Sequence, residues 1–354
     1  MLIENKLPHC ANALVEEPKD PFARRSQIFV GTFCNYNCVF CYYKDKLLEK
    51  NKENVVEQLN FVKDYGVLDI EFTGGEPTID PKWFDYLDYS KGKFRQIACI
   101  SNGFKLSDMP FISESKDRGL NEVLFSLHGY DAESHDYIVG KKGAWEKIMR
   151  AIRNAKDLGL IVRLNCTVGS FNFSRLGFYA SIINSIKPTS LNFLPINTWL
   201  GAKQEISYKE LSYFIKRCID KIENVPFISV RFIPYCYMVG YEKYVCGWYQ
   251  HPYDFFDWNN ELNSLPIFPK NLGEYGKTSF EYANKARVES HSKSMGCVKC
   301  KYFCICDGVQ KEQLKLNPIS PVSGEIIKDP LFFRRGYYRE KDYLNAINRD
   351  IVLV

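Results

Sequence analysis

Residues 27 to 195 alternate short apolar runs with stretches of helical spacing, and that rhythm leaves few architectures open to the chain. The runs are QIFVGTF (27–33), VLDIEFT (67–73), FRQIACI (94–100), EVLFSLH (122–128), LIVRLNCTV (160–168) and TSLNFLP (189–195). Between them lie segments such as NVVEQLNFVKDYG (54–66) and AWEKIMRAIRNAKDLG (144–159). In the latter, Ile148, Ile152 and Ala155 recur at helical spacing and Gly159 ends the pattern. Six strand-then-helix units in series predict an α/β fold, with a parallel sheet and crossover helices curled into a full or partial barrel. The carboxyl ends of the strands are then where chemistry is expected.

Beyond residue 200 the rhythm loosens. YKELSYFIKRCIDKI (208–222) reads as a helix, FISVRFI (227–233) as a strand, and residues 250–296 as an irregular polar and aromatic insertion. RRGYYREK (334–341) reads as a solvated helix end rather than a nucleic-acid contact. A length of 354 residues suits one sizeable domain with a smaller appendage. The expected division is an amino-terminal extension (1–26), a barrel (27–233) and a carboxyl-terminal domain (234–354).

With 47 basic and 42 acidic residues, the net charge of +5 is too mild to argue for nucleic acid or a membrane as partner. MLIENKLPHCANALVEEPKD has no apolar signal-peptide core, and no run reaches membrane-spanning length. The expectation is a cytoplasmic protein.

In a reducing compartment, thirteen cysteines point to metal or catalysis rather than disulfides. Seven fall in two clusters, Cys34/Cys38/Cys41 and Cys297/Cys300/Cys304/Cys306. The scattered Cys10, Cys99, Cys166, Cys218, Cys236 and Cys246 read singly as inert core residues. The first run leads directly into Cys34-x3-Cys38-x2-Cys41. A structural zinc site takes four ligands, and no further His or Cys follows closely. Iron–sulfur cubes normally take four thiolates, so three imply a cube with one iron left open. The second run ends in Thr73-Gly74-Gly75-Glu76-Pro77, where a Gly-Gly turn admits close backbone approach and Glu76 adds a carboxylate.

Together, the cysteine loop, GGEP and the six alternating units resemble the radical S-adenosylmethionine (SAM) superfamily, over roughly residues 27–200. The resemblance implies a partial (β/α)6 TIM-type barrel whose open iron is chelated by the methionyl amine and carboxylate of SAM. By the same analogy Gly74, Gly75, Glu76 and Pro77 meet the amine, and Phe40 lies beside the adenine. Ser101-Asn102-Gly103 matches the family's T-N-G. Ser126 and Asn165 (near Arg163) are candidates for the carboxylate and ribose, and Leu194-Pro195 for an adenine-packing edge. For Ser126 and Asn165 the alternative is an ordinary satisfied polar residue of a barrel interior. In SLHGYDAESHDYIVG, His128 stands where relatives commonly carry an acidic residue; it reads as a hydrogen-bonded strand-end histidine, and His135 as a helix-start residue.

CVKCKYFCICDG resembles the SPASM and twitch domains that hold auxiliary 4Fe–4S clusters in such enzymes. No cysteine follows Cys306, which favours a single auxiliary cluster on Cys297, Cys300 and Cys306, with Cys246 as fourth ligand and Cys304 or Cys236 as alternatives. The competing reading is a zinc knuckle. The resemblance further implies that one electron from the reduced cube cleaves SAM to methionine and a 5′-deoxyadenosyl radical, which abstracts hydrogen from substrate. Flavodoxin or ferredoxin is the implied donor. Asn197, Thr198, Trp199 and the stretch from Tyr253 to Trp258 are candidate substrate contacts. Residues 1–26 are too few for a leader-gripping module, which favours oxidation or rearrangement of a small molecule over a maturase for a peptide or protein side chain. Outside this class stand an iron–sulfur electron carrier and a zinc-stabilised scaffold.

Overall fold

A computed structural model describes residues 25–41, 55–64, 67–196, 205–250 and 287–334. Eight strands form one parallel sheet in chain order: β1 (Arg25–Phe29), β2 (Asp69–Thr73), β3 (Gln96–Ser101), β4 (Glu122–Ser126), β5 (Ile161–Val168), β6 (Ser190–Pro195), β7 (Phe227–Arg231) and β8 (Val245–Cys246). The helices are α1 (Val55–Asp64), α2 (Trp83–Ser90), α3 (Met109–Asp117), α4 (Ala132–Val139), α5 (Ala144–Asp157), α6 (Leu176–Ile186) and α7 (Tyr208–Ile219). Strands added always on the same side, through right-handed crossovers, put the helices on one face. Among the described residues no helix is long and apolar enough to cross a membrane.

Side-chain alternation divides the sheet into two unlike faces. Ile70, Phe72, Cys99, Phe125, Leu164 and Phe193 point outward and are buried in the main core. They meet apolar stripes such as Ile148, Ala151, Ile152 and Ala155 of α5. Each fully buried isoleucine there contributes about 1.5–3 kcal/mol. The opposite parity carries Glu71, Glu122, Arg163, Asn165, Asn192 and Ser229 among apolar residues such as Ala98, Ile100, Leu124 and Leu194. Sheets of this kind are normally apolar on both faces. A partly polar inner face marks a lumen.

The curl of the sheet is visible in one contact. Arg25 of β1 donates two hydrogen bonds to Glu122 of β4, at 2.8 and 2.9 Å. Those strands are three positions apart, about 14 Å in a flat sheet. Arg163 of β5 donates to Glu71 of β2 at 2.9 Å and also to Glu122. All four charged side chains are fully buried. This quartet closes the half-barrel near the amino ends of its strands, so Arg163 belongs to the floor and not to a ligand site.

Three sequence expectations need correction. The sheet has one strand beyond those expected, β8, whose two residues are too short to carry a pattern. It also continues past the expected boundary at 233/234. The boundary at 26/27 falls inside β1, whose first residues, Arg25 and Ser26, are polar yet buried and so did not read as strand. Arg334, expected at a solvated helix end, is buried, and donates to the Val245 carbonyl (3.1 Å) and Ser229 Oγ (3.4 Å). Residues 335–341 and most of the insertion, 251–286, lie outside the described residues.

Candidate active site and metal centres

The cysteine loop leaves the carboxyl end of β1 and is clamped from two sides. On one side, Asn37 N–H donates to the Val139 carbonyl (3.0 Å) and Val39 N–H to that of Ile138 (2.9 Å). These carbonyls belong to the last turn of α4, where a helix leaves acceptors unused. On the other side, Gly75 N–H donates to Gly31 O (2.7 Å) and Glu76 N–H to Phe33 O (2.9 Å). A Cβ on Gly74 would stand 2.2 Å from Gly31 O, and one on Gly75 2.0 Å from Phe33 O. Both glycines are therefore required for the GGEP turn to lie against the cysteine loop.

The Glu76 side chain is used within the protein. It accepts from Ser101 Oγ (2.9 Å), Thr78 Oγ1 (2.5 Å) and the Asn102 N–H (2.6 Å). Burial raises its carboxyl above the usual glutamate range, and those hydrogen bonds oppose the rise. Ser101 also accepts from Gly103 N–H (3.0 Å) and is buried, which places it in the scaffold of the turn. Asn102 reaches the cysteine loop, donating to Asn35 Oδ1 at 2.9 Å, with Cys34 Sγ at 3.9 Å.

Cys34, Cys38 and Cys41 are all half-buried free thiols. Burial raises the Cys34 thiol, and the like charges of Glu76 and Cys41 add to the rise; the Tyr36 N–H and the Asn102 amide lower it. Among the described residues no three His, Cys, Asp or Glu side chains are placed to hold one ion. A cube binds each thiolate through a different iron, so its cysteines stand farther apart than the ligands of a single ion.

Phe40 packs edge-on to His128 (centroids 4.7 Å apart) and against Phe171 (5.6 Å). His128 Nδ1 accepts from the Thr167 N–H at 3.0 Å, and burial holds the ring neutral. His135, buried on α4, accepts weakly from the His128 and Gly129 N–H groups, and burial lowers its pKa to about 4. Ser126 and Asn165 are register partners on β4 and β5, and Asn192 of β6 continues the row. Ser126 and Asn165 are half-buried and make no side-chain hydrogen bond among the described residues. Leu194 stands one step further toward the carboxyl end of β6 than Asn192 on the same face, in register with Thr167. Asn197, Thr198, Trp199 and Tyr253 to Trp258 lie outside the described residues.

A second centre forms where the chain leaves β7. Cys236, Cys297, Cys300 and Cys306 line one cavity of about 360 Å³, its open mouth included. Each sulfur has a hydrogen-bonding neighbour. These are the Ser320 N–H for Cys236, Ser294 Oγ for Cys297 (3.6 Å), the Val322 N–H for Cys300 (3.3 Å) and the Gly308 N–H for Cys306 (3.4 Å). Burial pushes the Cys236 thiol up to about 11 and that of Cys306 up to about 12. Bound metal supplies the positive charge that lets such thiols ionise.

Cys246, expected as the fourth ligand, is instead buried in β8 with Arg231 Nη1 3.2 Å from its sulfur, and it does not line the cavity. Strand pairing with β7 turns it into the sheet. Cys304 is likewise absent from the wall. Cys99, Cys166 and Cys218 are buried core thiols. The sequence carried one sign of the place of Cys236 in this cavity, its position just past a strand end.

Gly308 has φ +96°, and a Cβ there would meet Ser292 O at 2.3 Å. Gly308→Ala should therefore displace the N–H from Cys306 and loosen the second centre. The expected result is loss of metal from that centre with the first cysteine loop still loaded, read by iron analysis of single-centre variants.

Residues 28–174 match the Radical SAM superfamily. They are a radical SAM domain. Such a domain implies a 4Fe–4S cluster and SAM. The chain is 24% identical over 196 residues to a probable GTP 3′,8-cyclase of Saccharolobus islandicus, covering 52% of this chain and 62% of that protein. It is 29% identical over 140 residues to the antilisterial bacteriocin subtilosin biosynthesis protein AlbA of Bacillus subtilis, covering 38% of this chain and 31% of that one. The chain thus spans less than two thirds of either relative. Streptococcus suis SuiB, in its structure bound to precursor peptide SuiA, shares the fold at a TM-score of 0.51 and 14% identity, covering 87% of this chain and 75% of that one. The match takes in the end of β1, strands β2 to β5, the cysteine loop and the GGEP turn together.

Proposed function

We propose that this chain is a radical SAM enzyme of oxidoreductase or isomerase type that acts on a small polar molecule in the cytoplasm. Cys34, Cys38 and Cys41 hold a 4Fe–4S cluster whose fourth iron takes SAM, and Cys236, Cys297, Cys300 and Cys306 hold one auxiliary 4Fe–4S cluster. The observation that carries this reading is the cysteine loop locked backbone-to-backbone against the GGEP turn, at the carboxyl end of a sheet with a partly polar inner face. When bound, the first cluster supplies the electron that splits SAM into methionine and a 5′-deoxyadenosyl radical.

The protein's own part is to bind, orient and exclude water. The Gly74 and Gly75 carbonyls, which take no part in the hydrogen bonds that hold the turn to the cysteine loop, are the place for the methionyl amine, since the Glu76 and Ser101 side chains are engaged with each other. Ser126 and Asn165, adjacent and without partners among the described residues, are the groups for the ribose and carboxylate. Phe40, held by His128 and Phe171, and Leu194 offer apolar surface to the adenine. Both centres lie at the carboxyl ends of strands, at opposite edges of one curled sheet, so substrate would sit between them. Flavodoxin or ferredoxin would deliver the electron.

The small-molecule reading is supported by the polar groups of the inner face and by the nucleotide cyclase matching more of the chain than the bacteriocin protein does. Modification of a peptide or protein side chain is the second reading, and the subtilosin biosynthesis protein favours it.

The test is anaerobic reconstitution with iron and sulfide, followed by SAM and dithionite. About eight irons per chain are expected, as two cubes of about four, with 5′-deoxyadenosine formed. Cys236→Ala should lower the count by about four irons, whereas Cys246→Ala should leave it unchanged. A colourless, zinc-loaded protein would make the chain a scaffold. An iron-loaded protein that neither binds SAM nor forms 5′-deoxyadenosine would make it an electron carrier.

A further inference from the structure

One of the residues that line the cavity of the second centre is cationic, and ligand assignment does not use it. Lys293 lines it together with Cys236, Cys297, Cys300 and Cys306. Its ammonium donates to the Phe303 carbonyl at 2.5 Å. It lies 4.7 Å from the centre of the Phe303 ring and 5.8 Å from that of Tyr249. No carboxylate stands within ion-pair distance of it among the described residues.

Lys293 is half-buried, and an ammonium drawn into a cavity lined by thiols ordinarily has an anionic partner. Four thiolates around an iron–sulfur cube make a net anion, and that anion would fill the space Lys293 faces. We propose that Lys293 is the counter-ion of the auxiliary cluster and raises its reduction potential. This rests on the auxiliary-cluster reading above. Reduction adds negative charge beside the ammonium, so Coulomb attraction favours the reduced state, and more strongly inside the protein than in water. A raised potential suits a cluster that accepts an electron from a substrate radical better than one that passes electrons inward.

The experiment uses the full chain with Cys34, Cys38 and Cys41 all changed to alanine, so that a single cluster is read. It is reconstituted with iron and sulfide and titrated by potentiometry with EPR detection, alongside Lys293→Met, Lys293→Gln and Lys293→Arg in the same background. The expected result is equal iron loading throughout, with the midpoint shifted to lower potential in the Met and Gln proteins and held near the parent value by Arg. An unchanged midpoint in an iron-loaded Met or Gln protein overturns the proposal. So does an Arg protein shifted as far as the Met one, because packing rather than charge would then be at work. A parent protein that takes up zinc or no metal overturns the cluster reading itself, and that outcome is distinct from an unchanged midpoint.

Discussion

Alanine at any one of Cys34, Cys38 or Cys41 is expected to reduce 5′-deoxyadenosine formation to the level of a protein-free control. It should also remove about four irons per chain. The reason lies in the ligand count. The loop offers three thiols and no nearby His or Cys to substitute for one that is lost. With only two protein ligands the cube loses its anchorage, and the geometry that presents SAM is lost with it. Cys99→Ala is the matched control, since Cys99 is buried on the helix-covered face and should leave cleavage intact. The readouts are chromatography of the nucleoside and iron analysis on the same samples. Cleavage persisting in a loop variant would remove the loop from the chemistry.

Glu122→Gln should cost about 3–5 kcal/mol of stability at neutral pH. Glu122 accepts two hydrogen bonds from Arg25 and another from Arg163, and every partner is fully buried. A glutamine leaves two guanidiniums with only Glu71 for balance and presents an amide N–H₂ to donors. Burial on its own would raise the Glu122 carboxyl, but the two guanidiniums outweigh it and hold the carboxyl below the usual glutamate range. A lowered folded-state value means that this stabilisation is fully present above the unfolded glutamate pKa of about 4.3, and is lost as pH falls through the folded value. The difference between wild type and Glu122→Gln should therefore narrow on acidification below about pH 4. Urea denaturation of the cluster-free proteins at a series of pH values checks both points. A constant difference across that series would show that the quartet's charge is not what holds the floor of the barrel.

The parts of the active site that were readable in the sequence are contiguous in the chain. Cys34-x3-Cys38-x2-Cys41 and GGEP each occupy a few successive residues, and alternation of strands and helices places both at carboxyl ends. Cys297, Cys300 and Cys306 were readable for the same reason. The fourth cysteine was not. By sequence Cys246 was the expected fourth cysteine with Cys304 or Cys236 as alternatives, whereas the pairing of β8 with β7 draws Cys246 into the sheet and Cys236 lines the cavity. Ser101 matched a motif, yet its parity on β3 points it away from the lumen and into the Glu76 network.

The sequence by itself determined the parallel α/β architecture, the three-thiol loop and the glycine turn that must lie against it, because periodicity and short motifs are local properties of a chain. Only the tertiary structure decided that Arg25, Glu71, Glu122 and Arg163 meet, that Cys236 joins the distant cysteines, and that Lys293 faces their cavity. Those contacts join residues far apart in the chain, and they arise from the curl of the sheet and the return of the carboxyl-terminal segment to it. Charge and thiol chemistry depend on which groups become neighbours, and chain spacing does not carry that information.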